Sequence, residues 1–285
     1  MYRIHRSEGG GKVPRQNIKC TEDGAEVEYL TFPSLEETGM VRHLFTTRLG
    51  GVSEGDFSSM NFSVDRGDRE ENVLENYGRI AGILGCGVED MVASHQTHTT
   101  NVRRVTAADR GKGILRPRDY EDIDGMITDE EGIVLVTFYA DCVPLYFVDP
   151  VHRAIGLAHS GWKGTAGRMG ERMVEAMGRT FGSRPEELLA AVGPSICRDC
   201  YEVDGELAMR FADAFGDGVV RPGRGPGKYQ LDLWLANEMV LTGCGVLKEH
   251  IQVTDICTGH NSSYLFSHRA SRGRRGNMGA FLGLV

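Results

Sequence analysis

Three short segments of this chain carry the side chains that metal chemistry uses. They are Ser94-His95-Gln96-Thr97-His98, Ala140-Asp141-Cys142-Val143-Pro144 and Ala158-His159-Ser160-Gly161-Trp162-Lys163-Gly164. One thiolate with two imidazoles suits Zn²⁺, which takes four tetrahedral ligands. A set of Cys142, His159 and either His95 or His98 leaves the fourth position open to water or substrate, the mark of a catalytic rather than a closed structural site. Neither a HExxH motif nor a pair of CxxC motifs is present. The spacing alone therefore leaves the commoner roles open, a Cys as a small core hydrophobe and a His as an ordinary hydrogen-bonded group.

Other residues could hold an anion beside such a site. Arg48 follows a strand in a Gly-rich turn, and a guanidinium pairs bidentately with phosphate or carboxylate. Lys163 precedes a helix beginning near Thr165, whose free N–H groups favour an anion. The competing roles are a solvated surface Arg and a turn that only packs strand against helix. Asp141 adjoins Cys142, but neighbours on a strand face opposite ways, so its carboxylate should point away from the metal unless the strand kinks. Cys197-Arg198-Asp199-Cys200 is a lone CxxC, weak as a zinc motif, and packing of its loop is the expectation.

Those residues need elements to position them. Apolar, β-branched runs predict strands at 42–47, 91–94, 102–105, 125–128, 133–139, 144–148, 154–159, 190–192 and 251–254. Several are continuously apolar, as in strands covered on both faces. Apolar spacing of three and four predicts helices at 70–84, 165–181, 185–189, 205–215 and 233–241. Mixed strands with helices outside argue for a layered α/β domain, with Cys142 and His159 at strand ends, where loops converge into sites. The threonines at 97, 99 and 100 predict an extended chain through 95–100, in which His95 and His98 face opposite ways. No Rossmann or P-loop glycine motif lies between a strand and a helix.

Composition narrows the class. The chain has 285 residues, a net charge of -8 and 40% hydrophobic residues, enough for a sizeable core. An acidic chain has no broad attraction to nucleic acid or anionic lipid, so neither is an expected partner. The longest apolar run, 132–140, is too short to span a bilayer, and the first twenty residues carry no signal-like apolar region. Seven cysteines, mostly scattered singly, make a poor disulfide framework and suit the cytoplasm.

Taken together, Thr46-Thr47-Arg48-Leu49-Gly50-Gly51-Val52-Ser53, the His95–His98 stretch, Asp124-Gly125-Met126, the segments around Cys142 and His159, and Val192-Gly193-Pro194-Ser195-Ile196 resemble the YfiH-like family. This family is also called laccase-domain or polyphenol oxidoreductase. The motifs follow the family's order from about residue 40 onward. The resemblance implies an α/β/β/α sandwich with mixed sheets over residues 40–285, with 1–39 an N-terminal segment able to add a strand or hairpin. It selects His98 over His95, giving a Zn²⁺ site of His98, Cys142 and His159, with Cu²⁺ the alternative ion. It also implies purine nucleoside phosphorylase activity on adenosine, inosine or methylthioadenosine, with deamination of adenosine beside it. Purine nucleosides and inorganic phosphate would be the partners, with no obligate protein partner. Catalytic roles then fall to Cys142, His159 and Arg48, and substrate binding to Arg48, Gln96 and Lys163. The chain departs from the family's commoner Cys at His260 and commoner Arg at Ala270 and Asn277, so the resemblance carries no site residue over from the C-terminal stretch.

The oxidase name does not follow from the residues. A multicopper oxidase needs a trinuclear cluster beside its type 1 copper. The chain has nine His, none in a His-x-His pair. His98, Cys142 and His159 could supply the His₂Cys part of a blue-copper site, but no second cluster receives the electrons. Two other readings compete with the phosphorylase. Cys142 and His159 could serve without metal as nucleophile and base of a hydrolase or deamidase, or the three ligands could hold a metal in a non-catalytic binding protein.

Overall fold

The computed structural model of the chain describes residues 1–7, 12–21 and 23–285. The strands are β1 (Arg15–Cys20), β2 (Glu26–Thr31), β3 (Val41–Thr46), β4 (Met91–Ala93), β5 (Val102–Arg104), β6 (Gly125–Thr128), β7 (Val134–Tyr139), β8 (Val143–Asp149), β9 (Ala154–Ser160), β10 (Leu189–Val192), β11 (Glu202–Asp204), β12 (Val220–Pro222), β13 (Lys228–Leu231), β14 (Ile251–Val253) and β15 (Met278–Leu284). The α-helices are α1 (Pro33–Glu36), α2 (Glu70–Leu84), α3 (Trp162–Ala166), α4 (Met169–Phe181), α5 (Gly205–Phe215) and α6 (Leu233–Gly243). Two six-stranded sheets result, in the orders β1-β2-β3-β15-β7-β4 and β14-β10-β8-β9-β6-β5, with β11-β13-β12 a small third sheet. Both large sheets are mixed. The β4–β7, β5–β6 and β10–β14 pairs are parallel.

Three apolar layers hold the stack. Leu30, Phe45, Leu135, Tyr146, Leu157 and Leu282 belong to the layer shared by the two sheets. Val73, Tyr77 and Ile80 of α2 cover the first sheet against Leu44, Val136 and Phe281. Met173, Met177, Phe211 and Val240 cover the second sheet against Phe147, Ala158 and Val192. The order is therefore helix, sheet, sheet, helix. Strand β8 shows how the sequence encodes it. Tyr146 and Val148 face the other sheet while Leu145 and Phe147 face the helices, the period of two of a pleated strand. Burial on both sides makes β8 read as one apolar run.

The helix expected over 165–181 is broken in two. Arg168 takes a left-handed φ of 60° between α3 and α4. The segment expected to be helical at 185–189 is a short 3₁₀ turn, Pro185–Glu187. The central strand β15, between β3 and β7, has no counterpart among the expected strands. Among the described residues no helix is long and apolar enough to cross a membrane.

The links between the large sheets position the site. The chain passes between them four times, at β4–β5, β6–β7, β7–β8 and β14–β15. All but the β6–β7 link lie at one end of the sandwich, where Tyr139 pairs with Met278 and His159 with Pro144.

The core also contains an acid-sensitive point. His43 on β3 is buried, and its Nε2 accepts the Phe32 N–H at 2.8 Å. Burial lowers its pKa to about 4, against an ordinary 6.5. The fold holds the neutral ring, so this contribution is complete above pH 6.5 and is lost as pH falls toward 4, amounting to about 2 kcal/mol by about pH 5. His43→Gln can still accept the Phe32 N–H and does not titrate. Urea midpoints near neutrality and near pH 5 should diverge less for this variant than for the wild type. Equal slopes would assign the acid loss to other groups.

Candidate metal centre

Each residue of the set sits where the chain changes sheets or a strand ends. His98 lies on the β4–β5 link, Cys142 on the β7–β8 link and His159 near the end of β9. A nitrogen of each His and the Cys142 sulfur all lie within 4.8 Å of one another. The two imidazoles meet edge to face at 4.9 Å. Gly161 keeps the space open: a Cβ there would stand 2.9 Å from Cys142 Sγ and 3.3 Å from His98 Cδ2. Two imidazoles and a thiol converging at this range, with the wall beside them held to a glycine, fit the donor set and geometry of a zinc ion.

Asp124, immediately before β6, organises the group. Its carboxylate is fully buried and accepts from His159 Nδ1 at 2.8 Å, which leaves Nε2 as the nitrogen free to take a ligand. It also accepts the backbone N–H groups of Thr97, His98 and Thr99 at 3.1, 3.2 and 2.9 Å. That grip bends the His98 segment, which is not extended as its threonines suggested; His98 takes a φ of 67°. Burial alone would raise the Asp124 pKa. The His159 hydrogen bond and charge, with the Thr99 and Thr97 N–H groups, outweigh it and hold the carboxyl below its ordinary value.

Cys142 and His159 shift one another's titration in opposite directions. Burial pushes the Cys142 thiol up, but the charge and hydrogen bond of His159, then those of His98, bring it down to about 6. Burial pushes His159 down, but Cys142 and Asp124 raise it to about 9. Asp141 turns away from the set through a kink, at a φ of 88°. Its carboxylate accepts from Thr258 Oγ1 at 2.6 Å and from the Arg269 N–H at 2.7 Å.

The group opens on a cavity of about 620 Å³. His95, Gln96, Phe62, Phe138 and Asn277 line it, as do three arginines, Arg66, Arg118 and Arg275. The hydrogen bonds of those arginines run to uncharged groups, Arg66 to Gly273 O, Arg118 to Ser94 O, and Arg275 to Gly276 O and the Asn277 side chain. Arg275 Nε is buried without a partner. Burial, then the nearby Arg66 charge, lowers the Arg275 pKa to about 10, so it stays cationic at neutral pH. With Asp65 the one carboxylate of the lining, the three arginines leave the cavity wall net positive.

The residues expected to bind substrate fare differently. Gln96 lines the cavity, but its amide accepts from Phe138 N at 2.6 Å and donates to Phe138 O at 2.8 Å, fastening the β4–β5 link to β7. Arg48 lies off the cavity lining. It donates to Ser58 O and Ser262 O and lies over the Phe266 ring at 4.6 Å, so its guanidinium braces loops. Lys163 is exposed on α3 with its ammonium 5.6 Å from the Trp162 ring, also off the lining. The arginines at the cavity come from three distant segments with no spacing to betray them. Asp124 lies in a motif already noted, and its one local signal is an acid set directly before a strand of buried residues.

Comparison with known proteins agrees with this architecture. Residues 42–285 match the family described as multi-copper polyphenol oxidoreductase laccase. A purine nucleoside phosphorylase, YlmD of Bacillus subtilis, is 37% identical over 84% of this chain and 87% of its own. A protein named adenosine deaminase RL5, from an unknown prokaryotic organism, is 34% identical over 86% of this chain and 93% of its own. The crystal structure of the Bacillus licheniformis protein YfiH superposes with a TM-score of 0.85 at 35% identity, over 90% of this chain and 96% of that one. The chain belongs to the YfiH-like laccase-domain family.

Proposed function

We propose that this protein is a zinc-dependent purine nucleoside phosphorylase that breaks the bond between base and ribose with inorganic phosphate. The observation that carries the reading is one cavity lined both by the His98, Cys142 and His159 set and by Arg66, Arg118 and Arg275. The relatives named for purine nucleoside phosphorolysis and adenosine deamination support the substrate class. At about 620 Å³ the cavity falls within the ~300–1,000 Å³ of small-molecule sites.

A zinc ion held by His98, Cys142 and His159 would supply a Lewis acid at the cavity wall. Arg66, Arg118 and Arg275 hold phosphate, and their charge offsets its own as it approaches the anomeric carbon. Cleavage passes through an oxocarbenium-like sugar, so the attacking anion also stabilises the charge that develops. Phe62 and Phe138 give the purine apolar surface. His95 accepts the Asp122 N–H at Nδ1, which puts its proton on Nε2 as a donor to the departing base. Asp124 holds His159 in one tautomer. With water in place of phosphate and the purine ring turned toward the set, the same cavity accounts for deamination. Seven free cysteines fit a reducing cytoplasm.

The test is incubation of the zinc-loaded chain with adenosine or inosine, with and without phosphate. Free base and ribose-1-phosphate are expected only with phosphate, and absence of both products in every mixture would end the proposal. Arg275→Ala and Arg66→Ala should each raise the KM for phosphate ~10–100-fold, the equivalent of ~1.5–3 kcal/mol for a hydrogen bond to a charged group. Arg48→Ala should leave that KM within about twofold, since its donors are committed elsewhere.

One observation favours a second reading. Cys142, His159 and Asp124 are ordered as nucleophile, base and orienting carboxylate, which a metal-free Cys–His hydrolase would use. Full activity after chelation, abolished by a single alkylation at Cys142, would establish it.

A further inference from the structure

We infer that Cys197, Cys200, Cys257 and His260 form a second metal site, a closed and structural one, best suited to Zn²⁺. One ligand atom from each lies within 4.8 Å of the others. The sequence supplies them as two short pairs far apart, Cys197-x-x-Cys200 and Cys257-x-x-His260. The lone CxxC was unreadable because its complement stands on another loop. Three sulfurs and one nitrogen complete a tetrahedron with no position left for substrate, as structural zinc sites do. Soft thiolates exclude Mg²⁺ and Ca²⁺.

The local geometry is that of a ligand cage. Cys197 Sγ and His260 Nδ1 are 3.7 Å apart. Ligands at about 2.3 Å for sulfur and about 2.0 Å for nitrogen in a tetrahedron are separated by about 3.5 Å. The Cys197 N–H donates to Cys257 Sγ at 3.3 Å, as suits a charged sulfur. A 3₁₀ turn, Arg198–Cys200, brings Cys200 back beside Cys197. Gly259 passes so close that a Cβ would meet the Cys200 Cβ and Sγ at 3.1 Å. All seven cysteines are free thiols, so no disulfide accounts for the cluster.

The site joins the loop after β10 to the β14–β15 link, already bridged at Ser195 and Cys257. Both loops hold Asp141, through Ile196 N to Asp141 O at 3.0 Å and Thr258 Oγ1 to its carboxylate. The next residue is Cys142. A metal here therefore fixes the kink that presents the first site's thiolate, at a distance from substrate. The inference stands whether or not the phosphorylase reading does.

The experiment uses the full chain from zinc-supplemented expression. Elemental analysis should find about two zinc ions in the wild type, about one in Cys142→Ser and about one in Cys257→Ser, one per intact site. Loading Cys142→Ser with Co²⁺ isolates the second site and should give intense thiolate charge-transfer absorbance, absent from Cys142→Ser/Cys257→Ser. If the Cys257 variants do not fold, the wild type still decides: Cys200 should resist alkylation when zinc-loaded and react after chelation. Cys200 alkylated as fast as the exposed Cys20 in the zinc-loaded chain, a Cys142→Ser chain without metal or charge transfer, or a disulfide among Cys197, Cys200 and Cys257 would each overturn the inference.

Discussion

Cys142→Ser and His159→Ala are each expected to yield a folded chain that has lost one zinc ion and all measurable turnover of purine nucleoside. The set has three donors within 4.8 Å, and a serine hydroxyl is a far poorer ligand than a thiolate for a borderline-soft ion. Loss of an orienting partner alone costs ~10–100-fold in metal affinity, so loss of a donor should exceed that. The fold should survive because Cys142 is only half-buried, packs at the margin of the layer between the sheets, and takes no part in the two layers under the helices. His98→Ala should behave likewise. His95→Ala should keep the ion and lose rate, since His95 lines the cavity without belonging to the ligand group. Circular dichroism, elemental analysis and product assays on the four chains decide. A Cys142→Ser chain with an unchanged zinc count would remove the thiolate from the site.

Asp124→Asn is the second large effect, and it reaches both affinity and stability. All the partners of this buried carboxylate are donors: the His159 ring, three backbone N–H groups and the Thr99 hydroxyl. An asparagine offers one oxygen and must point an NH₂ at donors whichever way it is turned. With the NH₂ toward His159, the ring is pushed to the tautomer whose Nε2 carries the proton and cannot bind metal. With the NH₂ toward Thr97 and Thr99, the segment that presents His98 loses its anchor. Metal affinity should fall ~10–100-fold, and unfolding free energy by ~1–3 kcal/mol for each unmatched buried group. Competition titration against a zinc chelator and urea unfolding measure the two losses. An affinity within about threefold of the wild type would mean that the carboxylate only shapes the loop.

How far the sequence reaches can be seen residue by residue. The runs that became β8 and β9 are apolar on both faces because each lies between another sheet and a helix layer, so periodicity reveals both the strand and its burial. Strand β15 is hidden by Gly279 and Gly283, which weaken strand propensity. Space demands them, since a Cβ at Gly283 would meet Ile133 O at 2.9 Å. The bend at His98 is dictated by a carboxylate 26 residues away, beyond any local rule. Arg66, Arg118 and Arg275 converge only after the sheets have docked, whereas Arg48, conspicuous in its motif, is a brace. The residues of the proposed ligand set stand in short motifs; those that shape the cavity beside it are dispersed.

The position of β15 has a consequence for synthesis. A ribosome releases β3 and β7 long before β15, the strand that pairs with both. Until then the first sheet is two separate ribbons, each with an open hydrogen-bonding edge able to pair with another nascent chain. Arg275 and Asn277 emerge just ahead of that strand and wall the cavity. Closure of the sheet and completion of the pocket are therefore one late event, and a chain cut short before residue 278 would display both ragged edges at once.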